Sequence, residues 1–205
     1  MADQHLLVVE GRDDKHVLLA ILDRHRFAPK FTVQDEGGFE TLLDRASLRL
    51  KSGTDLERFG IIVDADADIR ARWQKIRGLL ERAGYEAVPK DPDPTGTVLD
   101  RVDQPRVGVW IMPDNSLPGM LEDYLSFLVP AGDLLFERAR RCVDEIPVEE
   151  RRFAEAHTTK ALLHTWLAWQ DDPGTPLGQA ITKRYFDPDV PRVGQLLAWL
   201  ARLFG

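Results

Sequence analysis

The chain has 205 residues, of which 43% are hydrophobic and 30% are charged, and its formal net charge is −7. This composition is that of an ordinary globular protein and excludes a globally disordered chain. The excess of acids excludes a protein that holds nucleic acid by positive charge alone, because neutralising phosphates requires clustered Lys and Arg. Acids that bind divalent cations would raise the local charge, so nucleic acid is not excluded as a partner.

The single cysteine, Cys142, excludes an internal disulfide and any zinc site built from several cysteines. Together with the lack of an apolar run near the roughly 20 residues of a membrane span, it favours a cytoplasmic protein with no membrane partner. A basic stretch precedes Cys142 and would lower the pKa of its thiol, but a buried structural cysteine is the preferred interpretation. The oligomeric state is left open.

Short apolar runs that end at acidic or turn residues predict buried strands. In chain order these are His5–Glu10, Phe31–Gln34, Phe59–Val63 and Val107–Met112, with Tyr85–Val88 as a weaker candidate. Apolar residues at helical spacing predict helices over Asp13–Arg26, Phe39–Leu50 and Ile69–Ala83. Lys90–Gln104, rich in Asp and Pro, is predicted as a solvated loop or hairpin. From Pro118 onward the pattern is helical, with breaks near the later prolines.

Strands that alternate with helices predict an α/β fold with a mostly parallel central sheet and helices on both of its faces. We assign residues 1–129 to this α/β domain and residues 130–205 to a C-terminal helical extension packed on it. The two parts are expected to form one compact unit.

Acidic residues lie at the ends of three predicted strands and in the turns that follow them. They are Glu10, Asp13 and Asp14, then Asp64, Asp66 and Asp68, then Asp114, Glu122 and Asp123. Ligands of an open parallel sheet bind outside the carboxyl ends of its strands, so these acids are expected to converge. Oxygen ligands without His or Cys favour Mg²⁺ or Mn²⁺ over zinc. Residues two apart in an extended segment point the same way, so Asp64 and Asp66 are expected to face one site.

Each acid taken alone also has a purely structural interpretation. An Asp at the end of a strand commonly caps the next helix or closes a turn. This applies above all to Asp13 and Asp68, because Asp is favoured in the first turn of a helix. The metal interpretation depends on three acid-terminated strands occurring in one chain.

The order and spacing of these acids resemble the Toprim domain superfamily, which includes primases, topoisomerases, recombination proteins and OLD-type nucleases. Val8–Asp14 resembles the first Toprim motif in its OLD-like form, and Ile62–Asp68 resembles the second. Met112–Asn115 followed by Gly119–Asp123 resembles the stretch that supplies a further carboxylate in OLD-like members. The chain is most similar to small bacterial Toprim-like proteins of unassigned function, and this similarity extends into Lys160–Ile181.

This resemblance implies a Rossmann-like Toprim fold and a site for one or two Mg²⁺ ions, with Mn²⁺ as a substitute. Asp64 and Asp66 would bind metal, and Glu10 would be a ligand or the general acid/base of strand cleavage. Asp14 and Glu122 would complete a second metal site.

The resemblance also implies roles outside these five acids. Lys160 would stabilise charge on the transferring phosphoryl group. Its structural alternative is a solvated lysine on an amphipathic helix. Asp68, Asp114 and Asp123 are additional candidate ligands. No organic cofactor is implied.

The function predicted is a Mg²⁺-dependent nuclease, or a related phosphodiester-processing enzyme, acting on DNA or RNA. The chain carries no ATPase domain like that of full OLD nucleases, which implies a stand-alone enzyme or a subunit that works with an ATPase or another protein, in phage defence for example. A non-catalytic module that binds metal and nucleic acid is the first alternative.

The second alternative is a phosphatase of the haloacid-dehalogenase type with Asp64 as its nucleophile. Such enzymes place their Asp-x-Asp after the first strand and usually carry Thr or Val where this chain has Asp68. Here the motif follows the third predicted strand.

Overall fold

A computed structural model describes residues 4–28, 30–51 and 55–205 of the chain. Its centre is a five-stranded sheet with the strand order β2-β1-β3-β5-β4. The strands are β1 (His5–Val9), β2 (Thr32–Asp35), β3 (Arg58–Asp64), β4 (Thr97–Leu99) and β5 (Arg106–Met112). β4 runs antiparallel to β5, and the other pairings are parallel. The predicted α/β class with a mostly parallel sheet is confirmed, and the architecture is consistent with a Rossmann-like fold.

Helices follow most of the strands and make up most of the C-terminal third of the chain. They are α1 (Arg12–Arg24), α2 (Phe39–Arg49), α3 (Ile69–Arg82), α4 (Leu121–Ser126), α5 (Leu134–Asp144), α6 (Thr158–Leu167), α7 (Leu177–Thr182) and α8 (Pro191–Phe204). Two short 3₁₀ helices, Val148–Glu150 and Glu155–His157, lie between α5 and α6. In the described ranges, no helix is long and apolar enough to cross a membrane.

The central strands supply side chains to two separate cores, because successive residues of a strand point to opposite faces. On one face, Val8 and Ile61 pack with residues of α2 and α3. On the other, Leu7 and Ile62 pack with α1 and with the C-terminal helices. Helices therefore cover both faces of the sheet, as predicted.

The C-terminal helices approach the α/β part closely at glycine positions. A Cβ added at Gly108 of β5 would lie 2.5 Å from the side chain of Leu203 in α8. A Cβ at Gly178 of α7 would lie 2.8 Å from the backbone of His16 in α1. Helices α7 and α8 thus pack directly on α1 and on the sheet.

Most predicted elements end within two residues of the observed ones, but the strand predicted at Tyr85–Val88 is wrong. Ala87 has a φ of 54°, which is incompatible with an extended strand. The Tyr85 hydroxyl instead donates to the Pro105 carbonyl over 2.6 Å, so its ring is anchored as a core residue. β4 is not among the predicted strands and lies inside the segment Lys90–Gln104, which is predicted as a loop or hairpin. Its three residues are too few to show an alternating pattern in the sequence.

The interpretation of Cys142 as a buried cysteine is also wrong. Cys142 is exposed on α5. This helix buries Phe136, Ala139 and Val143, whose spacing defines one face. Cys142 lies off that face.

Candidate metal centre

Glu10 and Asp64 leave the same edge of the sheet from neighbouring strands. β1 and β3 are paired in parallel, with Val9 opposite Ile62. The backbone N–H of Asp64 donates to Glu10 Oε1 over 2.8 Å. The Glu10 carboxylate is therefore fixed against the end of β3, and the first and second acidic motifs meet in space.

Two further carboxylates reach this edge from helices. Asp14 lies in the first turn of α1, is 9% exposed, and accepts the Gly11 N–H through Oδ2 over 3.1 Å. Glu122 lies in the first turn of α4 and is 4% exposed. Both are close enough to Asp64 to raise the pKa of its carboxyl through like-charge repulsion.

Burial and mutual repulsion shift the pKa values of three of these acids upward. Burial, followed by the charges of Asp14 and Glu10, raises the pKa of Asp64 well above its usual range. Burial and the Glu10 charge raise the pKa of Asp14 to about 7. Burial also raises the pKa of Glu10, against the opposing hydrogen bond from Asp64 and the charge of Arg72. Without compensating positive charge, the ionised forms of these carboxyls are unfavourable.

Two carboxylate oxygens of the cluster are buried without a hydrogen-bond partner, Asp14 Oδ1 and Asp64 Oδ1. A buried acceptor with no partner costs about 1–3 kcal/mol. These atoms are oxygen donors of the type that Mg²⁺ prefers, so the residues present fit a divalent cation.

The carboxylates are not arranged as a finished ligand set. No group of three or more Asp, Glu, His or Cys side chains in the described part of the chain could hold a metal ion as it stands. Like charges repel, and we expect the carboxylates to turn toward an ion when it binds.

The side chain of Asp66 does not point the same way as that of Asp64, contrary to what an extended Asp-x-Asp segment would predict. Its φ of 52° lies in the left-handed region, and its backbone forms an isolated bridge with Gly119. The Gly119 N–H donates to the Asp66 carbonyl over 2.7 Å. The Asp66 side chain is 54% exposed and pairs with Arg72. The argument from alternation is therefore wrong, although the Asp66 charge still acts on Asp64 and Glu10.

The three additional candidates, Asp68, Asp114 and Asp123, have structural partners. Asp68 is the N-cap of α3 and accepts the N–H groups of Arg70 and Ala71. Asp123 accepts the Met120 N–H over 2.8 Å at the start of α4. For these two acids, the helix-capping interpretation describes the contacts that the structure shows.

Asp114, which follows β5, is held by a network of donors. It accepts the Ser116 hydroxyl and the Leu117 N–H, and it pairs with Arg192 of α8. Burial raises the pKa of Asp114, but these hydrogen bonds and the Arg192 charge outweigh burial and hold the pKa below its ordinary value. Asp114 is thus compensated within the protein.

Lys160 reaches the carboxylate cluster from the helical extension. Its Nζ lies 2.8 Å from Glu122 Oε1. Lys160 is the third residue of α6, and Glu122 is the second residue of α4, so this ion pair joins the two helices. The hydrogen bond to Glu122, with the charges of Glu122, Asp13 and Asp64, raises the pKa of Lys160. Lys160 is half-exposed, so its ammonium group is both near the acids and open to a ligand.

Arg72 is a residue of this site that the sequence patterns did not identify. Its side chain is 10% exposed, pairs with Asp66, and places Nη1 3.9 Å from Glu10 Oε1. One signal was present in the sequence. The first turn of α3 contains no acid but does contain Arg70 and Arg72, although positive charge there opposes the helix dipole.

Comparison with known proteins gives one match. A family model described as "Protein of unknown function (DUF3226)" matches residues 4–205. No curated protein and no solved structure matches the chain.

Proposed function

This chain belongs to the DUF3226 family, and we propose that it is a Mg²⁺-dependent phosphodiester-processing enzyme that acts on nucleic acid, a nuclease of the OLD-like Toprim kind. The observation that carries the proposal is the pair of orphaned buried oxygens, Asp14 Oδ1 and Asp64 Oδ1, within a cluster of mutually repelling carboxylates. Such a cluster is destabilising by itself, and a divalent cation would compensate it.

Five acids would hold the metal. Glu10, Asp64 and Asp66 would bind one ion, and Asp14 and Glu122 would bind a second. Bound Mg²⁺ would polarise a phosphoryl oxygen and lower the pKa of a water molecule.

Where Glu10 is not a metal ligand, it would act as the general base or acid. The Asp64 N–H fixes its Oε1 over 2.8 Å, and burial raises its pKa in the metal-free protein. A carboxylate held in one position suits the removal of a proton from an attacking water.

Lys160 supplies positive charge at the Glu122 side of the cluster. Its ammonium group donates to Glu122 and would donate to an oxygen of the transferring phosphoryl group. The resemblance to OLD-like proteins adds DNA or RNA as substrate, and an ATPase or another protein subunit as a candidate partner.

The test is metal-dependent cleavage by the parent and by Asp64→Asn. Labelled single- and double-stranded DNA and RNA are incubated with Mg²⁺, Mn²⁺ or EDTA. We expect Asp64→Asn to lower the cleavage rate by about 10³-fold or more, because residues that act as a unit in catalysis cost that much singly. Asp68→Asn is the matched control: it lies in the same motif but caps α3, and Asn caps equally well.

Other outcomes separate the alternatives. Calorimetric Mn²⁺ binding with no cleavage across the substrate panel would indicate the non-catalytic binding module. A phosphate trapped on Asp64 would indicate the phosphatase. A parent protein that binds no Mn²⁺ at all would overturn the proposal.

A further inference from the structure

A cleft opens beside the carboxylate cluster, between the beginnings of α2 and α3. Its volume is about 490 Å³, which is within the usual range for a small-ligand site. Glu10 and Asp66 form its wall toward the cluster. Phe39, Arg72 and Lys75 line the rest, together with Glu40 and residues of the loop before α3. The cleft thus joins the proposed metal ligands to an aromatic ring and two cations.

Arg72 is the link between the cleft and the cluster. Its guanidinium carbon lies 3.7 Å from the centre of the Phe39 ring, in a cation–π contact with the face of the ring. The same guanidinium pairs with Asp66 and approaches Glu10, so one monovalent cation serves two acids that would bind metal. A divalent ion at these carboxylates would repel the guanidinium and weaken its hold on Asp66.

Lys75 can also change its partner at low cost. Its Nζ lies 2.6 Å from Glu40 Oε1, and the two side chains are 55% and 74% exposed. Exposed ion pairs contribute about 1 kcal/mol or less. The first turn of α2, which includes Phe39 and Glu40, has no side-chain cap, so its backbone adds positive potential at the same wall.

We infer that this cleft binds a backbone phosphate of the nucleic acid next to the one that is cleaved, and that Arg72 exchanges Asp66 for this phosphate once a divalent cation binds the carboxylates. The inference rests on the proposed function. It also predicts an order of binding. Four acids and two cations line the cleft before metal binds, so the cleft accepts an anion only after the metal has offset the charge of Glu10 and Asp66.

The experiment measures metal binding and oligonucleotide binding separately. Mn²⁺ binding is measured by calorimetry for the parent, Arg72→Met, Lys75→Met and Arg77→Met. Binding of fluorescein-labelled single-stranded 12-residue DNA and RNA is measured by anisotropy, in EDTA and with Ca²⁺ in place of Mg²⁺. Met preserves the packing of the side-chain stem and removes the charge. Arg77 is the matched control, because it lies on the same helix and pairs with Glu81 outside the cleft.

For Arg72→Met we expect Mn²⁺ to bind as tightly as to the parent or about threefold more tightly, because a competing cation is gone. Oligonucleotide binding with Ca²⁺ should weaken about tenfold for Arg72→Met, which loses a bidentate phosphate contact, and about threefold for Lys75→Met. Arg77→Met should match the parent in both measurements. The parent should bind oligonucleotide much more weakly in EDTA than with Ca²⁺.

Three results would overturn the inference, in distinguishable ways. Weaker Mn²⁺ binding by Arg72→Met would mean that Arg72 only holds Asp66 in place. Equal oligonucleotide binding by the parent and Arg72→Met, or an equal loss with Arg77→Met, would remove the subsite and leave the metal centre intact. No Mn²⁺ binding by the parent would remove the proposed function together with the inference.

Discussion

Buried acids at one edge of the sheet differ in whether the protein gives them a positively charged partner. On the outer strand β2, the chain continues into Glu36, whose side chain is fully buried and pairs with Arg45 over 2.6 Å and with Arg49 over 2.5 Å. At the end of β3, which β1 separates from β2, Asp64 is surrounded by other carboxylates and has one buried oxygen without a hydrogen-bond partner.

β5, on the far side of β3, repeats the first pattern. Asp114 after β5 pairs with Arg192 and accepts hydrogen bonds from the turn that follows it. The chain therefore pairs these two flanking acids with arginines, whereas Asp14 and Asp64 have no ion pair in the part of the chain that the structure describes. Burial by itself does not leave an acid without a counter-charge here, and this contrast supports the proposal that the central acids bind an external cation. A site that is destabilising until its ligand arrives is a common cost of function.

Removing the flanking acid should have the largest effect on stability. Glu36→Gln would leave the charges of Arg45 and Arg49 without their shared partner, and we expect a loss of about 3 kcal/mol in the free energy of unfolding. Urea denaturation measures this loss, which should be the same with and without Mg²⁺. A Glu36→Gln protein as stable as the parent would end the contrast between the two kinds of acid.

Removing a central acid should have the opposite sign. At pH 8 in EDTA, Asp14→Asn should raise the free energy of unfolding by about 2 kcal/mol, because a buried carboxyl with a raised pKa is costly to ionise. With saturating Mg²⁺ the gain should vanish or reverse, since the proposed function makes Asp14 a metal ligand. Destabilisation by Asp14→Asn in EDTA at pH 8 would contradict this account.

The sign of the pH dependence follows from the same shift. The pKa of Asp14 is raised from 3.8 to about 7 in the folded protein. The penalty is present above the folded pKa and disappears as the pH falls from about 7 toward about 4, where both states are protonated. The metal-free parent should therefore gain stability from Asp14 over this window, and Asp14→Asn should gain less than the parent over the same range.

The smallest effect is expected at the exposed acid of the central motif. Asp68→Ala removes the side chain that caps α3, and we expect a loss of about 1 kcal/mol, measured by thermal or urea unfolding. Asp68→Asn should restore the parent's stability. If the loss of stability in Asp68→Ala depended on Mg²⁺, Asp68 would be a metal ligand and not only a helix cap.

The parts of the fold that the sequence predicts are those fixed by local pattern. The sequence predicts acid-terminated strands whose carboxyl ends share one edge of a parallel sheet, and this is enough to expect the meeting of Glu10 with Asp64. The direct pairing of β1 with β3 is seen only in the structure. The buried face of α1 likewise follows from its helical spacing, which places Asp14 at the start of that helix.

The features that escaped prediction depend on contacts between distant residues. The left-handed backbone of Asp66 is fixed by its bridge to Gly119. The residues of the motif itself do not predict this conformation. The arginines in the first turn of α3 were a sequence signal, but the place of Arg72 in the site depends on its packing against Phe39 of α2. The role of Glu36 depends on two arginines one helix later in the chain. In each case the decisive partner is set by tertiary packing.

The close packing of Gly178 against α1 limits which substitutions this protein can accept over evolutionary time. Its missing side chain lets α7 touch the backbone of His16, one helical turn or less from Asp14. Any larger residue there must shift α1, and the acidic edge would shift with it. Substitutions in the C-terminal helices and in the half that carries the acidic edge are therefore expected to be coupled, and neither half can be exchanged without adjusting the other.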